Sequence, residues 1–162
     1  MAAPDDVYSV LDALGISYVR YEHPPVFTAE EAAEHWRGTD GTAVKNLFLR
    51  NKKGDRHYLV ILGIEKQADL KQLVKVIGDD RLSFASPERL MARLGLTPGA
   101  VSPFGLINDP AHSVTVVVDV DLKNAQRLIF HPNINTASLT ISVADFERFL
   151  AVRGNIVRYI RV

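Results

Sequence analysis

Two strand-like runs, Ala43 to Arg50 and His57 to Leu62, are separated only by residues 51–56, whose tip Asn51-Lys-Lys-Gly-Asp55 has the glycine and short polar residues that a tight connection needs. That spacing commits the middle of the chain to an antiparallel hairpin, and the rest must pack around it. Val7, Val10, Leu11 and Leu14 recur at helical spacing and Gly15 follows them, predicting a helix over 5–14. Ile16 to Tyr21 alternates as a strand. His23-Pro24-Pro25 then holds the chain extended, and Thr28 with Glu31 forms a capping box for a short helix reaching Trp36.

Downstream, Asp69 caps a helix with Leu70, Leu73 and Val74 inward, and Ser86-Pro87-Glu88 opens another that stops at Gly95. Val114 to Val118 reads as a central strand, followed by strands over 126–130 and 137–141 with the polar 131–136 loop between them. Ser142 caps a last helix ending at Gly154, and 156–162 closes the chain as a strand. Helices scattered among hairpins predict an α+β fold, a central mixed or antiparallel sheet flanked by helices, with residues 1–162 forming a single domain. The 162 residues, 47% of them hydrophobic, suffice for one sizeable core.

Composition narrows the chemistry. The absence of cysteine excludes thiolate catalysis, disulfides and sulfur-ligated metal. Lys plus Arg equals Asp plus Glu at 19 each, so a nucleic acid would be held by a local patch and not by the field of the whole molecule. The first residues lack the pattern of a signal peptide and no apolar run approaches membrane length, so a cytoplasmic location is expected.

Three short features interrupt the apolar pattern and are expected to form three walls of one pocket. Lys45 and Asn46 sit within Val44 to Leu49, with strand alternation placing Lys45, Leu47 and Leu49 on one face. A lysine there either runs its stem along apolar surface or presents a fixed ammonium to a phosphate or carbonyl oxygen. Gly99-Ala100-Val101-Ser102-Pro103 lies in a stretch holding three glycines and two prolines, Gly95 to Gly105. It is either a long turn or a shaped loop whose N–H groups hold a carbonyl or oxyanion. His131-Pro132 ends a strand, where a histidine serves structure or borders a site. The five histidines show no metal-ligand spacing and no G-x-S-x-G elbow marks a serine nucleophile, so neither a metal nor any other cofactor is expected. Arg50, Lys52, Lys53 and Arg56 at the hairpin tip, with Arg153, Arg158 and Arg161, are solvated faces or contacts for an acceptor stem. Trp36 reads as core before it reads as a base-stacking platform.

Taken in order, His23-Pro-Pro-Val-Phe-Thr-Ala-Glu-Glu31, Lys45-Asn-Leu-Phe-Leu49, Gly99-Ala-Val-Ser-Pro103 and Phe130-His-Pro-Asn-Ile-Asn-Thr136 resemble the YbaK-like aminoacyl-tRNA editing family over essentially the whole chain. The likeness is greatest to its freestanding prolyl-tRNA editing deacylases, the ProXp-ala branch. The resemblance implies a hydrolase that removes alanine from mischarged tRNA(Pro) and spares the prolyl ester, with prolyl-tRNA synthetase as a further candidate partner. It maps the family's essential lysine to Lys45, its G-x-x-x-P loop to Gly99 through Pro103, and its pocket histidine to His131. On that basis Lys45, Gly99, Ala100, Val101 and Ser102 are the expected catalytic set, and Asn46, Pro103, His131 and Pro132 the expected substrate-binding set. Two alternatives stand beside it: the same fold clearing serine, cysteine or threonine, and a tRNA- or synthetase-binding module without catalysis.

Overall fold

The hairpin forms, and its two faces are sorted by alternation. A computed structural model describes residues 4–25 and 41–162. Strand β2 (Thr42–Arg50) pairs antiparallel with β3 (His57–Gly63) in a register running from Val44 opposite Gly63 to Arg50 opposite His57. Val44, Phe48, Leu59 and Ile61 belong to one buried cluster, and Leu49, Tyr58, Val60 and Leu62 to another. Period-two geometry makes these the two faces of a single sheet.

Helices cover the two faces unequally. The first face carries α1 (Pro4–Ala13), α3 (Pro87–Leu94) and α4 (Val143–Arg153) through Val7, Leu11, Leu90, Leu94, Phe146, Phe149 and Leu150. The second takes α2 (Leu70–Ile77) through Leu73 and Ile77. Local chemistry ends these helices where expected. Asp69 accepts hydrogen bonds from the N–H groups of Lys71 and Gln72, Ser86 from Arg89 and Ser142 from Asp145, while Gly78, Gly95 and Gly154 form left-handed caps.

The remaining strands are β1 (Val19–Glu22), β4 (Ser83–Phe84), β5 (Val114–Asp119), β6 (Arg127–Phe130), β7 (Ala137–Ser142) and β8 (Val157–Ile160). Their order is β1-β7-β6-β2-β3-β5-β8, with β4 added to the far end of β2. Pairings β2–β6, β3–β5 and β5–β8 are parallel and the others antiparallel, so the mixed sheet is as expected. The first strand starts at Val19 and not at Ile16, because the backbone N–H of Ile16 still bonds to Leu11 O at the end of α1 and Ile16 itself is buried in the core. The two-residue β4 carries no periodic pattern and was not expected. The capping box Thr28/Glu31 and the helix to Trp36 lie outside the described residues.

Four rings tie the fold to the candidate site. Phe104 meets Phe130 edge to face at 5.6 Å between centroids and Phe149 at 5.1 Å, and Phe130 meets Phe146 at 4.9 Å. All four are fully buried. Burial contributes roughly 2–3 kcal/mol per ring and the aromatic geometry about 1 kcal/mol per pair. Because Phe104 follows Pro103 and Phe130 precedes His131, the cluster fixes the glycine loop relative to the histidine.

Candidate functional site

The face of the sheet that bears α2 becomes polar toward β1, β7 and β6. Lys45 shares it with Leu47 and Leu49 by alternation. Thr42 stands opposite Leu128 and Ala43 opposite Ile129 in the parallel β2–β6 register, and Lys45 and His131 follow on the same face, each two residues beyond the last paired position. Thr140 pairs with Ile129 on one side and Val19 on the other, and Ser138 lies two residues along on the same face. Ser138 and Thr140 are buried. His23 enters from the end of β1, its Nε2 2.8 Å from Ser138 Oγ and its ring 6.3 Å from that of His131.

The hydrogen bonds set the histidine tautomers. Carbonyl oxygens of Ala137 and Pro24 sit 3.1 and 2.8 Å from Nδ1 of His131 and His23, so each ring donates from Nδ1. Burial pushes the His131 pKa below the usual histidine value, against the Ala137 carbonyl, and His23 nearby pushes it the same way. His131 is therefore neutral at pH 7. Lys45 is half-buried, and its ammonium makes no hydrogen bond or ion pair among the described residues.

The other expected residues distribute as follows. Asn46 points to the opposite face from Lys45, between Val44 and Phe48, and its Oδ1 is buried without a partner. The loop begins as a 3-10 turn, Pro98–Ala100, in which the Ala100 N–H already donates to Thr97 O. Val101 packs on the core and Pro103 is buried. Ser102 is fully buried, its hydroxyl accepting from Phe104 N–H, so it is a loop brace with no access to a substrate carbonyl. Pro132 is buried beside His131. The structure thus puts Lys45 and His131 on one face of the sheet and ties the loop to the strand before His131 through Phe104 and Phe130. It does not put Asn46 on their face.

The sequence model of the aminoacyl-tRNA editing domain matches residues 23–149, a span that includes all three walls. This chain belongs to the aminoacyl-tRNA editing domain family. It is 43% identical over its full length to the prolyl-tRNA editing protein ProX of Acetoanaerobium sticklandii, covering 99% of that protein. It is 38% identical over 122 residues, 73% of this chain and 71% of the other, to the multifunctional Ser/Thr-tRNA deacylase ProXp-y of Escherichia coli (strain K12). A solved structure described as a trans-editing enzyme for prolyl tRNA synthetase superposes with a TM-score of 0.69 at 25% identity, covering 100% of this chain and 99% of that one.

Within this editing-family frame the structure adds residues that the sequence pattern alone did not single out. Asn133 is nine-tenths buried at φ 64°, and neither polar atom of its carboxamide has a partner among the described residues; Thr140 Oγ1 is likewise unpartnered among them. His23 and His131 each precede proline, and that repeated dipeptide is the signal that points to their convergence. A groove of about 410 Å³ opens beside His23, lined also by Tyr8, Arg20, Ile134 and Thr136, which is within the range of small-ligand sites. Among the described residues no group of three His, Cys, Asp or Glu is gathered to hold a metal ion, and no helix is long and apolar enough to cross a membrane.

Proposed function

We propose that this protein hydrolyses the ester of mischarged aminoacyl-tRNA in trans, with alanine on tRNA(Pro) as its main substrate and the prolyl ester spared. The observation that carries the reading is an ammonium, Lys45, without a carboxylate partner among the described residues and on the same face as a half-buried neutral histidine, His131, and buried hydroxyls. An isolated cation in that position suits the terminal phosphate of a tRNA 3′ end or the oxygen on which charge develops during ester hydrolysis. Editing relatives named for prolyl-tRNA support the cargo.

In the proposed mechanism the Gly99–Pro103 backbone borders the ester carbonyl and Lys45 holds the 3′ end or the oxyanion. With no cysteine in the chain and Ser102 committed to its brace, water attacks the carbonyl directly, assisted by the ribose hydroxyl of the substrate. His131 and Pro132 set the size of the amino-acid pocket, which admits alanine and rejects the larger ring of proline. Prolyl-tRNA synthetase is the natural source of the mischarged substrate.

A second reading keeps the chemistry and changes the cargo to serine or threonine. The unpartnered Thr140 Oγ1 and the ProXp-y likeness favour it, since a substrate hydroxyl would find a partner there. Deacylation of alanyl-, prolyl-, seryl-, threonyl- and cysteinyl-tRNA(Pro), by wild type and Lys45→Ala in parallel, separates these readings. Alanyl hydrolysis lost by at least a hundredfold in a folded Lys45→Ala is expected, on the order of what one electrostatic donor supplies. Unchanged turnover in that variant sinks the mechanism, and hydrolysis of seryl or threonyl esters alone moves the cargo.

A further inference from the structure

Cations at the two ends of the hairpin are treated differently. At the end where β3 and β5 finish, Lys66 and Arg161 are matched by carboxylates. Lys66 Nζ lies 2.6 Å from Asp119 and 2.7 Å from Asp121, and Arg161 lies 3.2 Å from Asp121. At the tip, where β2 turns into β3, most are not. Arg50 donates to the carbonyl oxygens of Asn51 and Lys52 at 3.2 and 3.1 Å, and Arg89 of α3 donates to Gly54 O at 3.0 Å. Both guanidinium groups are therefore positioned by neutral backbone, which leaves their charge uncompensated.

Lys52, Lys53 and Arg93 make no side-chain hydrogen bond or ion pair among the described residues, and both lysines are exposed. Residues 50–56 and 87–94 together hold six cations against two carboxylates, in a chain whose net charge is zero. Of the six, Arg56 is the one paired with a carboxylate, Asp79 at 3.4 Å. Asp80 approaches the tip but accepts backbone N–H groups, those of Lys52 and Arg81. Phe84, paired across from Leu49 at this same end, is 63% exposed. His57, stacked on Phe48 and in contact with Arg89, has its pKa driven down to about 4 by burial first and then by Arg93, Arg89 and Arg50, which registers the positive potential there.

The geometry points to the hairpin tip and the adjoining face of α3 as a phosphate-backbone surface for double-stranded RNA. Resting on the editing reading above, it would hold the helical acceptor stem of the tRNA while the 3′ end occupies the site at Lys45. Five residues of extended strand separate Lys45 from Arg50, about 17 Å at roughly 3.3 Å per residue. Alternation puts Arg50 on the opposite face of β2 from Lys45, so the duplex would lie at the tip and the unpaired 3′ end would cross from it to the site. Forks fixed by backbone carbonyls suit phosphate oxygens and carry no base-specific element, so this surface supplies affinity and not sequence choice. It lets an electrically neutral protein bind a polyanion at one end.

The test compares wild type with Lys52→Glu/Lys53→Glu and, separately, with Arg93→Glu. Binding of uncharged tRNA(Pro) is followed by fluorescence anisotropy from 50 to 200 mM salt, and hydrolysis is measured on alanyl-tRNA(Pro) and on the alanyl ester of a CCA trinucleotide. Expected are an affinity at least about tenfold weaker at low salt and a shallower dependence of log K on log salt, by roughly one unit for each phosphate no longer neutralised. KM for alanyl-tRNA rises while trinucleotide hydrolysis is unchanged. Unaltered tRNA affinity and salt slope overturn the proposal. Loss of trinucleotide hydrolysis also overturns it, because these side chains would then act in the chemistry. Should wild type hydrolyse neither ester, the editing reading fails, and charge-sensitive tRNA binding still supports the surface. If an acidic polypeptide binds in a way the substitutions abolish while tRNA binding persists, the surface serves a protein partner and the RNA proposal is overturned.

Discussion

Two buried polar clusters differ in how completely they are hydrogen-bonded. Asp109, just before β5, is 5% exposed, and its carboxylate accepts from Ser113 N–H and Oγ–H, Val114 N–H and the Asn155 amide at 2.7–3.1 Å. Asn155 also reaches Val114 O, and its own Oδ1 is the one buried atom of this cluster without a partner among the described residues. Around Lys45 and His131, by contrast, Asn133, Thr140 and, on the reverse face, Asn46 keep buried atoms without partners. An unpaired buried polar atom costs roughly 1–3 kcal/mol. A fold tolerates such atoms where something other than stability selects them. The first cluster pins the C-terminal segment to β5, and the second coincides with the site reached by the register argument.

Deleting one residue from each cluster can break that contrast. Asp109→Ala leaves two N–H groups, a hydroxyl and one of the two Asn155 amide hydrogens without an acceptor, and is expected to cost about 3–5 kcal/mol, read as a fall in Tm of roughly 10 °C. Asn133→Gly removes no hydrogen bond and relieves a non-glycine residue at φ 64°, so its stability should match or exceed wild type. Equal losses in the two variants would mean that missing partners do not mark a functional cluster here.

His57 stands between these cases, satisfied only while neutral. Its Nε2 accepts from Arg89 at 3.2 Å, and a proton there would remove the acceptor and add charge beside Arg89, Arg93 and Arg50, with Asp55 alone opposing them. The folded value, about 4, lies below the unfolded value near 6.5. For a base this means a contribution fully present above pH 6.5 and lost as pH falls through 4, up to roughly 3 kcal/mol in all. Denaturant midpoints of wild type should fall across that window, and His57→Gln should flatten the fall. The same slope in both would assign the acid sensitivity to other groups, His131 among them.

Most of the fold was legible because its signals are local. The hairpin turn at Asn51–Asp55, the caps at Asp69, Ser86 and Ser142, and the stops at Gly95 and Gly154 each act within a few residues. Alternation also placed Lys45 with Leu47 and Leu49, but the same rule carries Asn46 away from Lys45, which the expectation of one pocket did not follow through. What could not be read was non-local. The β2–β6 register that puts Lys45 and His131 on one face, the Phe104–Phe130 contact and the reach of His23 to Ser138 all join segments far apart in sequence. Neither Asn133 nor Thr140 stands out from its neighbours until burial and missing partners are known.

The smallest effect tests whether the hairpin tip belongs with the scaffold or with the exposed charge. Gly54 has φ 74°, a conformation that L side chains adopt with strain, and an added Cβ would stand 2.6 Å from Arg89 Nη2. Gly54→Ala is therefore expected to cost about 1 kcal/mol, mostly from the backbone, since the guanidinium end can swing aside. That swing breaks the Arg89 bond to Gly54 O but leaves Arg50, Lys52 and Lys53 where they were. A chemical denaturation curve with a slightly lower midpoint and unchanged slope would show the tip yielding locally. A loss of several kcal/mol would make the Arg89–Gly54 contact a structural clamp like the Asp109 cluster, and the uncompensated charge at the tip would then serve stability before binding.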